Sequence, residues 1–272
     1  MGAVISQYKK RKSLQFIKSN FNKMSQRGIA RKSGIGKTTI NRWSSELGFK
    51  FKKHTVKETF FDKFNEKSSY ILGFIFADGN VAWDTKKGYY SLTITASEKD
   101  KEHLERMRNI ISSTKPLLYS DKTKSYRLIV NNKKICQRLI KLGVIPRKSL
   151  TVRFPEIPNK YLRHFIRGVI DGDGSVFYIK RKKRPYFTIR ISSGSRKFLS
   201  KLISEIKKNT EINGNIQKWS DNVYLVEYSC SRGEKLAEYV YSDANIFLER
   251  KYLPYKENIV GGKQNEKRKV FL

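Results

Sequence analysis

Two aspartates, Asp78 and Asp173, are the side chains in this 272-residue sequence best placed to do chemistry. Each closes a short apolar run and precedes a glycine, in "GFIFADGN" (residues 73–80) and in "GVIDGDGS" (residues 168–175), 95 residues further on. Taken singly, an Asp-Gly pair is an ordinary turn with a solvated acid. Taken together, two carboxylates held close repel strongly unless a cation lies between them, and oxygen ligands of this kind suit a hard divalent ion.

The elements that must position these acids are legible in the same runs. Gly73 and Ala77 are four residues apart, as are Gly168 and Gly172, so each pair lies on one helical face. Small residues at that spacing let two helix backbones approach closely. Two such helices packed together bring their C-terminal ends side by side, adding the negative ends of their dipoles to the two acids. One copy of the run makes half of a divalent-cation site; two copies make the whole.

The repetition extends well beyond the acids. The same shift of 95 carries Val81 onto Val176, Leu92 onto Phe187, Ile94 onto Ile189 and Leu104 onto Leu199. Further on, "VIPRKSL" (residues 144–150) matches "FLERKYL" (residues 247–253) at a shift of 103, which places an insertion of about eight residues in the second copy, near "NTEINGNIQ". The hydrophobic patterning of each copy reads α-β-β-α-β-β-α, with strands alternating apolar and polar or basic residues, as in "YRLIV" and "YFTIRI". One sheet face then packs on helices while the other is left for an anionic ligand. The predicted fold class is α+β: two pseudo-symmetric units over residues 67–154 and 155–256, with a small helical domain over residues 1–50, a charged linker over residues 51–66 and a basic tail over residues 257–272.

Bulk composition favours a polyanionic partner. Fifty-eight Lys and Arg against 24 Asp and Glu give a net charge of +34, a surface that attracts nucleic acid over long range. No apolar run approaches the roughly 20 residues of a spanning helix, and the N-terminal residues lack the apolar core of a signal peptide. Cys136 and Cys230 are too few for a disulfide framework and read as buried thiols. His54, His103 and His164 share no ligand spacing and read as surface or boundary residues, which argues against zinc fingers and histidine-based nucleases.

Residues 1–57 hold 15 Lys or Arg against one acid, Glu46. Within them, Ile29, Ala30, Gly34, Ile40, Trp43 and Leu47 follow the rhythm of two short helices crossing at a tight turn, which resembles a helix-turn-helix. Its second helix, about residues 37–47, would enter a major groove and present Lys37, Thr38, Thr39, Asn41 and Arg42. A basic helical appendage with no groove-reading role is the plainer alternative. "GIGKTT" is not a phosphate-binding loop, because Arg31 stands where that motif needs glycine. "DGDGS" is not an EF-hand, because the following "VFYIK" supplies no ligands.

Residues 71–79, "ILGFIFADG", and residues 166–174, "IRGVIDGDG", fill the nine positions of a known motif in turn. They resemble the LAGLIDADG motif of homing endonucleases, and the double motif is similar to the monomeric branch of that family. The resemblance covers about residues 66–256 and implies two sheets forming a saddle over DNA. It implies Asp78 and Asp173 as ligands of catalytic divalent ions, with Ala77 and Gly172 lending carbonyls, and Lys148 and Lys251 near the scissile phosphate. Phosphate contact alone is the alternative role for the lysines. Mg²⁺ is the implied ion, with Mn²⁺ substituting and Ca²⁺ binding without cleavage. Ser97 and Ser192 occupy the second-strand positions that order water. Base and phosphate contacts are expected from the strand segments that hold Arg127, Asn131, Lys180, Arg181, Lys182, Arg190 and Ser192. The sequence departs from the pattern at Phe76, where the second copy has Asp171, which suggests unequal active sites. The implied activity is site-specific double-strand cleavage of a long DNA target by an intracellular monomer. The alternatives are a non-cleaving DNA-binding regulator and a maturase acting on its own intron RNA.

Overall fold

A computed structural model describes residues 6–51, 54–86, 88–145, 150–179 and 186–261. The chain divides into two compact units, residues 1–54 and 55–272.

The first unit is three helices, α1 (Gln7–Asn20), α2 (Gln26–Ser33) and α3 (Lys37–Glu46). Ser25 caps α2 by accepting from the Gly28 N–H at 3.1 Å, and Gly34 ends it with φ +66°, a left-handed conformation that glycine adopts without penalty. The three helices bury Ile17, Ile29, Ile35, Ile40 and Trp43 in a core of their own. Phe49 stacks on Phe21 with ring centroids 4.6 Å apart, so the chain after α3 folds back onto this core.

The second unit contains two repeats. The first runs α4 (Glu66–Asp78), β1 (Gly79–Asp84), β2 (Tyr89–Ser97), α5 (Lys101–Ile110), β3 (Leu118–Ser120), β4 (Ser125–Val130) and α6 (Lys133–Lys141). The second runs α7 (Asn159–Asp173), β5 (Gly174–Ile179), β6 (Tyr186–Ser193), α8 (Arg196–Thr210), β7 (Ile216–Ser220), β8 (Val223–Ser229) and α9 (Ser231–Tyr241), followed by α10 (Glu249–Tyr255). Each repeat folds into a four-stranded antiparallel sheet, in the orders β1-β2-β4-β3 and β5-β6-β8-β7. The α+β class and the α-β-β-α-β-β-α order agree with the sequence reading. Register follows the apolar alternation: Leu92 sits between Val81 and Val130, and Ile189 between Val176 and Tyr228. One contiguous core joins both repeats.

Four readings are corrected. The insertion in the second repeat begins as helix: α8 has 15 residues where α5 has 10. The linker is much shorter than residues 51–66, because Thr55 already bonds to Thr114, whereas the expected anchoring of its end by Phe60, Phe61 and Phe64 agrees with their packing in the core of the second unit. Residues 256–260 continue as a helical turn with Ile259 buried, so they are not tail; residues 262–272 lie outside the described residues. Cys136 is buried, as read, but Cys230 is exposed at the turn into α9.

Candidate active site

Everything at the site depends on how closely α4 and α7 approach. A Cβ added at Gly73 would overlap the carbonyl oxygen of Phe165, and one added at Gly168 would overlap that of Tyr70. At the C-terminal ends, a Cβ on Gly172 would overlap the Cβ of Ala77 and lie 3.4 Å from Asp78 Oδ2. The helices therefore touch backbone to backbone, and no side chain larger than hydrogen fits at the two crossing glycines. Asp78 and Asp173 are the last residues of α4 and α7, and both are exposed. An oxygen-only donor set of two carboxylates and neighbouring backbone carbonyls fits a hard divalent ion that completes its shell with water and phosphate oxygens. Among the described residues no group of three His, Cys, Asp or Glu offers a metal site.

Lys251 lies beside this pair in a way the sequence did not foretell. Its Nζ donates to the carbonyls of Ile170 (3.0 Å), Asp171 (2.6 Å) and Gly172 (2.9 Å), the last turn of α7. All three ammonium protons are thus directed at the helix end, and the residue is 4 % exposed. Burial pushes its pKa down to about 8, opposed mainly by Asp171, with Asp78 and Asp173 adding to the opposition and Arg250 acting against it. The ammonium turns inward as a cation capping the carbonyls at the end of α7, where negative potential is concentrated and water is excluded. Gly172, a proposed ion ligand, shares its carbonyl with this ammonium. Lys148, its counterpart in the first repeat, lies outside the described residues.

Asp171 explains why the motif positions differ. It is fully buried and accepts from Tyr70 Oη (2.7 Å), Tyr241 Oη (2.8 Å) and the Leu248 N–H (2.8 Å). Burial pushes its carboxyl above the ordinary range, with the hydrogen bonds from Tyr70, Leu248 and Tyr241 pulling back. The Tyr70 proton goes to Asp171, so His103 Nε2, 2.9 Å from Tyr70 Oη, must be the donor in that pair. Phe76, the counterpart of Asp171, instead packs on Phe165 and Phe198. One repeat closes its helix end with a polar network and the other with aromatic rings.

Sequence reasoning missed further residues that fix α7. Arg167 is wholly buried and donates to Ile246 O (2.8 Å), Val240 O (2.7 Å) and Glu66 Oε1 (3.1 Å), so it ties α7 to the first turn of α4. Arg250 forms a two-pronged bond with Asp100, at 2.9 and 3.0 Å, joining the start of α10 to the first repeat. His103 and His164 are buried, not surface residues. Burial pushes the pKa of each down to about 4, with Arg106 and Arg167 respectively adding to the effect. The only early signal was a basic residue inside an apolar motif, Arg167 of "IRGVIDGDG".

The remaining sequence-derived residues lie on the strands and on α3. Ser192 donates to the Asp173 carbonyl at 3.1 Å, next to the acid, whereas Ser97 donates to Asp100 at 3.2 Å. Arg127 lies opposite Thr95 and Leu118 in the first sheet, and Asn131 accepts from Lys115 at 2.8 Å just beyond β4. Arg190 shares the corresponding face of the second sheet with Phe177, its guanidinium 5.6 Å from that ring centroid, and bonds Glu227 at 2.6 and 3.0 Å. Lys180, Arg181 and Lys182 lie outside the described residues. In the first unit Lys37, Thr38, Asn41 and Arg42 are exposed and Thr39 is half-buried. No helix among the described residues is long and apolar enough to cross a membrane.

Comparison with known proteins bears out the resemblance drawn from the two motifs. The family model described as a LAGLIDADG-like domain matches residues 160–241, most of the second repeat. A relative in Methanocaldococcus jannaschii, itself uncharacterized, is 28 % identical over 230 residues, covering 78 % of this chain and 79 % of its own. The fold is similar to that of the LAGLIDADG meganuclease I-AabMI bound to uncleaved DNA, with a TM-score of 0.52 at 13 % identity, covering 74 % of this chain and 93 % of that one. It is also similar to the LAGLIDADG homing endonuclease I-LtrWI bound to target DNA, with a TM-score of 0.51 at 14 % identity, covering 74 % and 91 %. A third match is I-SmaMI bound to an uncleaved DNA target in the presence of calcium ions, at a TM-score of 0.50 and 14 % identity, covering 75 % and 93 %. The chain carries the LAGLIDADG fold, and its second repeat matches the family in sequence.

Proposed function

We propose that this protein is a site-specific endonuclease that makes double-strand breaks in a long DNA target, with Asp78 and Asp173 holding the divalent ions that the reaction needs. The observation that carries the reading is the convergence of α4 and α7, backbone to backbone, on two exposed aspartates at one place. A divalent ion such as Mg²⁺ held there would supply an activated water and stabilise the leaving oxygen. Asp78, Asp173 and the neighbouring carbonyls of Ala77 and Gly172 would hold it. Lys251 acts behind them, fixing the last turn of α7 so that Asp173 and the Gly172 carbonyl are presented in a defined position. Ser192 holds the same turn through the Asp173 carbonyl. Arg127, Asn131 and Arg190, on or beside the strands, and Lys180, Arg181 and Lys182 between β5 and β6, supply phosphate and base contacts. The three-helix unit adds a second DNA contact through Lys37, Thr38, Thr39, Asn41 and Arg42. DNA-bound structures of similar fold and a net charge of +34 support duplex DNA as the partner.

The test is cleavage of a plasmid carrying the uninterrupted insertion site of the gene. Mg²⁺ and Mn²⁺ are expected to support linearisation, and Ca²⁺ to support binding without cutting. Tight binding with no cutting in any divalent ion would point instead to a binding protein, and preferential binding of the intron RNA would point to a maturase.

A further inference from the structure

Apart from Glu46, which pairs with Lys10 and Arg42, the exposed residues of α3 with hydrogen-bonding capacity lie on one stripe. Ile40, Trp43 and Ser44 face the core of the three-helix unit, while Lys37, Thr38, Asn41, Arg42 and Ser45 recur at intervals of three and four on the solvent side. The members of the stripe are not equivalent. Arg42 lies 3.9 Å from Glu46 of the next turn, and Lys37 ends in a flexible point charge. Only Asn41 combines a planar group bearing both a donor and an acceptor with a fixed orientation.

That orientation comes from α2. Gln26, the first residue of α2, donates from Nε2 to Asn41 Oδ1 at 3.1 Å and to the Lys37 carbonyl at 3.4 Å. Both amide protons of Gln26 are therefore committed to α3, and Asn41 Oδ1 is identified as the oxygen by the proton it accepts. Nothing among the described residues accepts from Asn41 Nδ2, and the second lone pair of Oδ1 is left over. The side chain lies at an open concavity of about 650 Å³ whose wall also carries Arg27, Lys37 and Lys50. A cationic rim around one oriented amide is an arrangement that phosphates can flank and a base edge can fill. Paired donor and acceptor on an amide match the N7 and N6 of adenine in the major groove, and no other base presents that pair there.

We propose that Asn41, held by Gln26, reads one adenine of the DNA target, making the three-helix unit a sequence-reading module and not only a basic anchor. The proposal rests on the reading of this unit as a DNA-binding element. Asn41 is the specificity-determining residue; Gln26 is a positioning residue that acts through it. Lys37 and Arg27 contact phosphates and contribute affinity without discrimination.

The test is selection of bound duplexes from a random DNA library by the full chain in Ca²⁺, comparing wild type with Asn41→Ala, Asn41→Asp, Gln26→Ala and Lys37→Ala. The wild-type motif is expected to contain an A·T pair whose preference falls about tenfold or more in both Asn41 variants. Gln26→Ala should weaken preference at that same pair and no other. Lys37→Ala should lower affinity for all sequences alike. A wild-type motif that persists unaltered in both Asn41 variants overturns the proposal while leaving the DNA reading standing, as does a uniform loss of affinity in them. A wild type that selects no motif overturns both.

Discussion

At the scale of single residues, the site is built from groups whose proton and charge balance is already fixed. Asp171 receives three hydrogen bonds in a fully buried position, and Lys251 gives three. Asp171→Ala would strand two tyrosine hydroxyls and a backbone N–H, and should cost about 3 kcal/mol or more in denaturant unfolding. Asp171→Asn, which keeps the shape and part of the acceptor capacity, should cost less. Lys251→Met separates a cap from a phosphate contact. Loss of a cap removes the ammonium from three carbonyls, of which that of Ile170 keeps the Gly174 N–H, and lowers stability by about 2 kcal/mol, whereas loss of a residue serving only phosphate would lower cleavage and leave the unfolding midpoint unchanged. These roles were not legible in the sequence. Lys251 stood in a short basic run whose match to the first repeat said where it lay in the chain, but not that its ammonium turns inward. A side chain's direction depends on the carbonyls that the fold leaves unpaired, which sequence spacing does not report.

The decisive elements are α4 and α7, and these were readable in advance. Gly73, Ala77, Gly168 and Gly172 predicted close approach from spacing alone, and the structure places the backbone of one helix where a Cβ of the other would be. Gly73→Ala or Gly168→Ala must push the helices apart against backbone atoms, so each should destabilise by about 3 kcal/mol or more in thermal or chemical unfolding. A loss below about 0.5 kcal/mol would show that the helices can slide without penalty and that the two acids are not rigidly placed. The insertion in the second repeat was read as about eight residues near "NTEINGNIQ", and the structure places five extra residues in α8, which extends by continuing its own amphipathic pattern and leaves no turn residues to mark them. The Arg250–Asp100 bond was invisible because its partners are 150 residues apart.

Across the whole molecule, the clearest consequence of burial is a response to acid. His103 and His164 are held neutral, with pKa values pushed down to about 4, while the unfolded chain protonates them near 6.5. The unfolded state therefore takes up protons that the folded state refuses, so the stability that depends on these two histidines holds above pH 6.5 and falls as the pH drops from there toward 4. Each histidine contributes a loss on the order of 3 kcal/mol across that window. Glu66 and Asp100, whose bonded carboxylates are held below the ordinary range, extend the loss further into acid, while Asp171 acts in the opposite sense. The double variant His103→Gln, His164→Gln should flatten the dependence of the unfolding midpoint between pH 6.5 and 4; an unchanged slope would assign the acid response elsewhere. The repeat, the fold class and the paired acids were legible because local periodicity and duplication carry them, whereas the buried network that sets this pH response depends on contacts between distant segments. Cleavage depends on the two aspartates at the ends of α4 and α7. The most direct measurement is the rate of Mg²⁺-dependent linearisation of the target plasmid by wild type, Asp78→Asn and Asp173→Asn, with binding followed in parallel. Each substitution is predicted to slow linearisation by about 100-fold or more while leaving DNA binding and fold intact. Linearisation at the wild-type rate in either variant would contradict the assignment of that acid to the cleavage site.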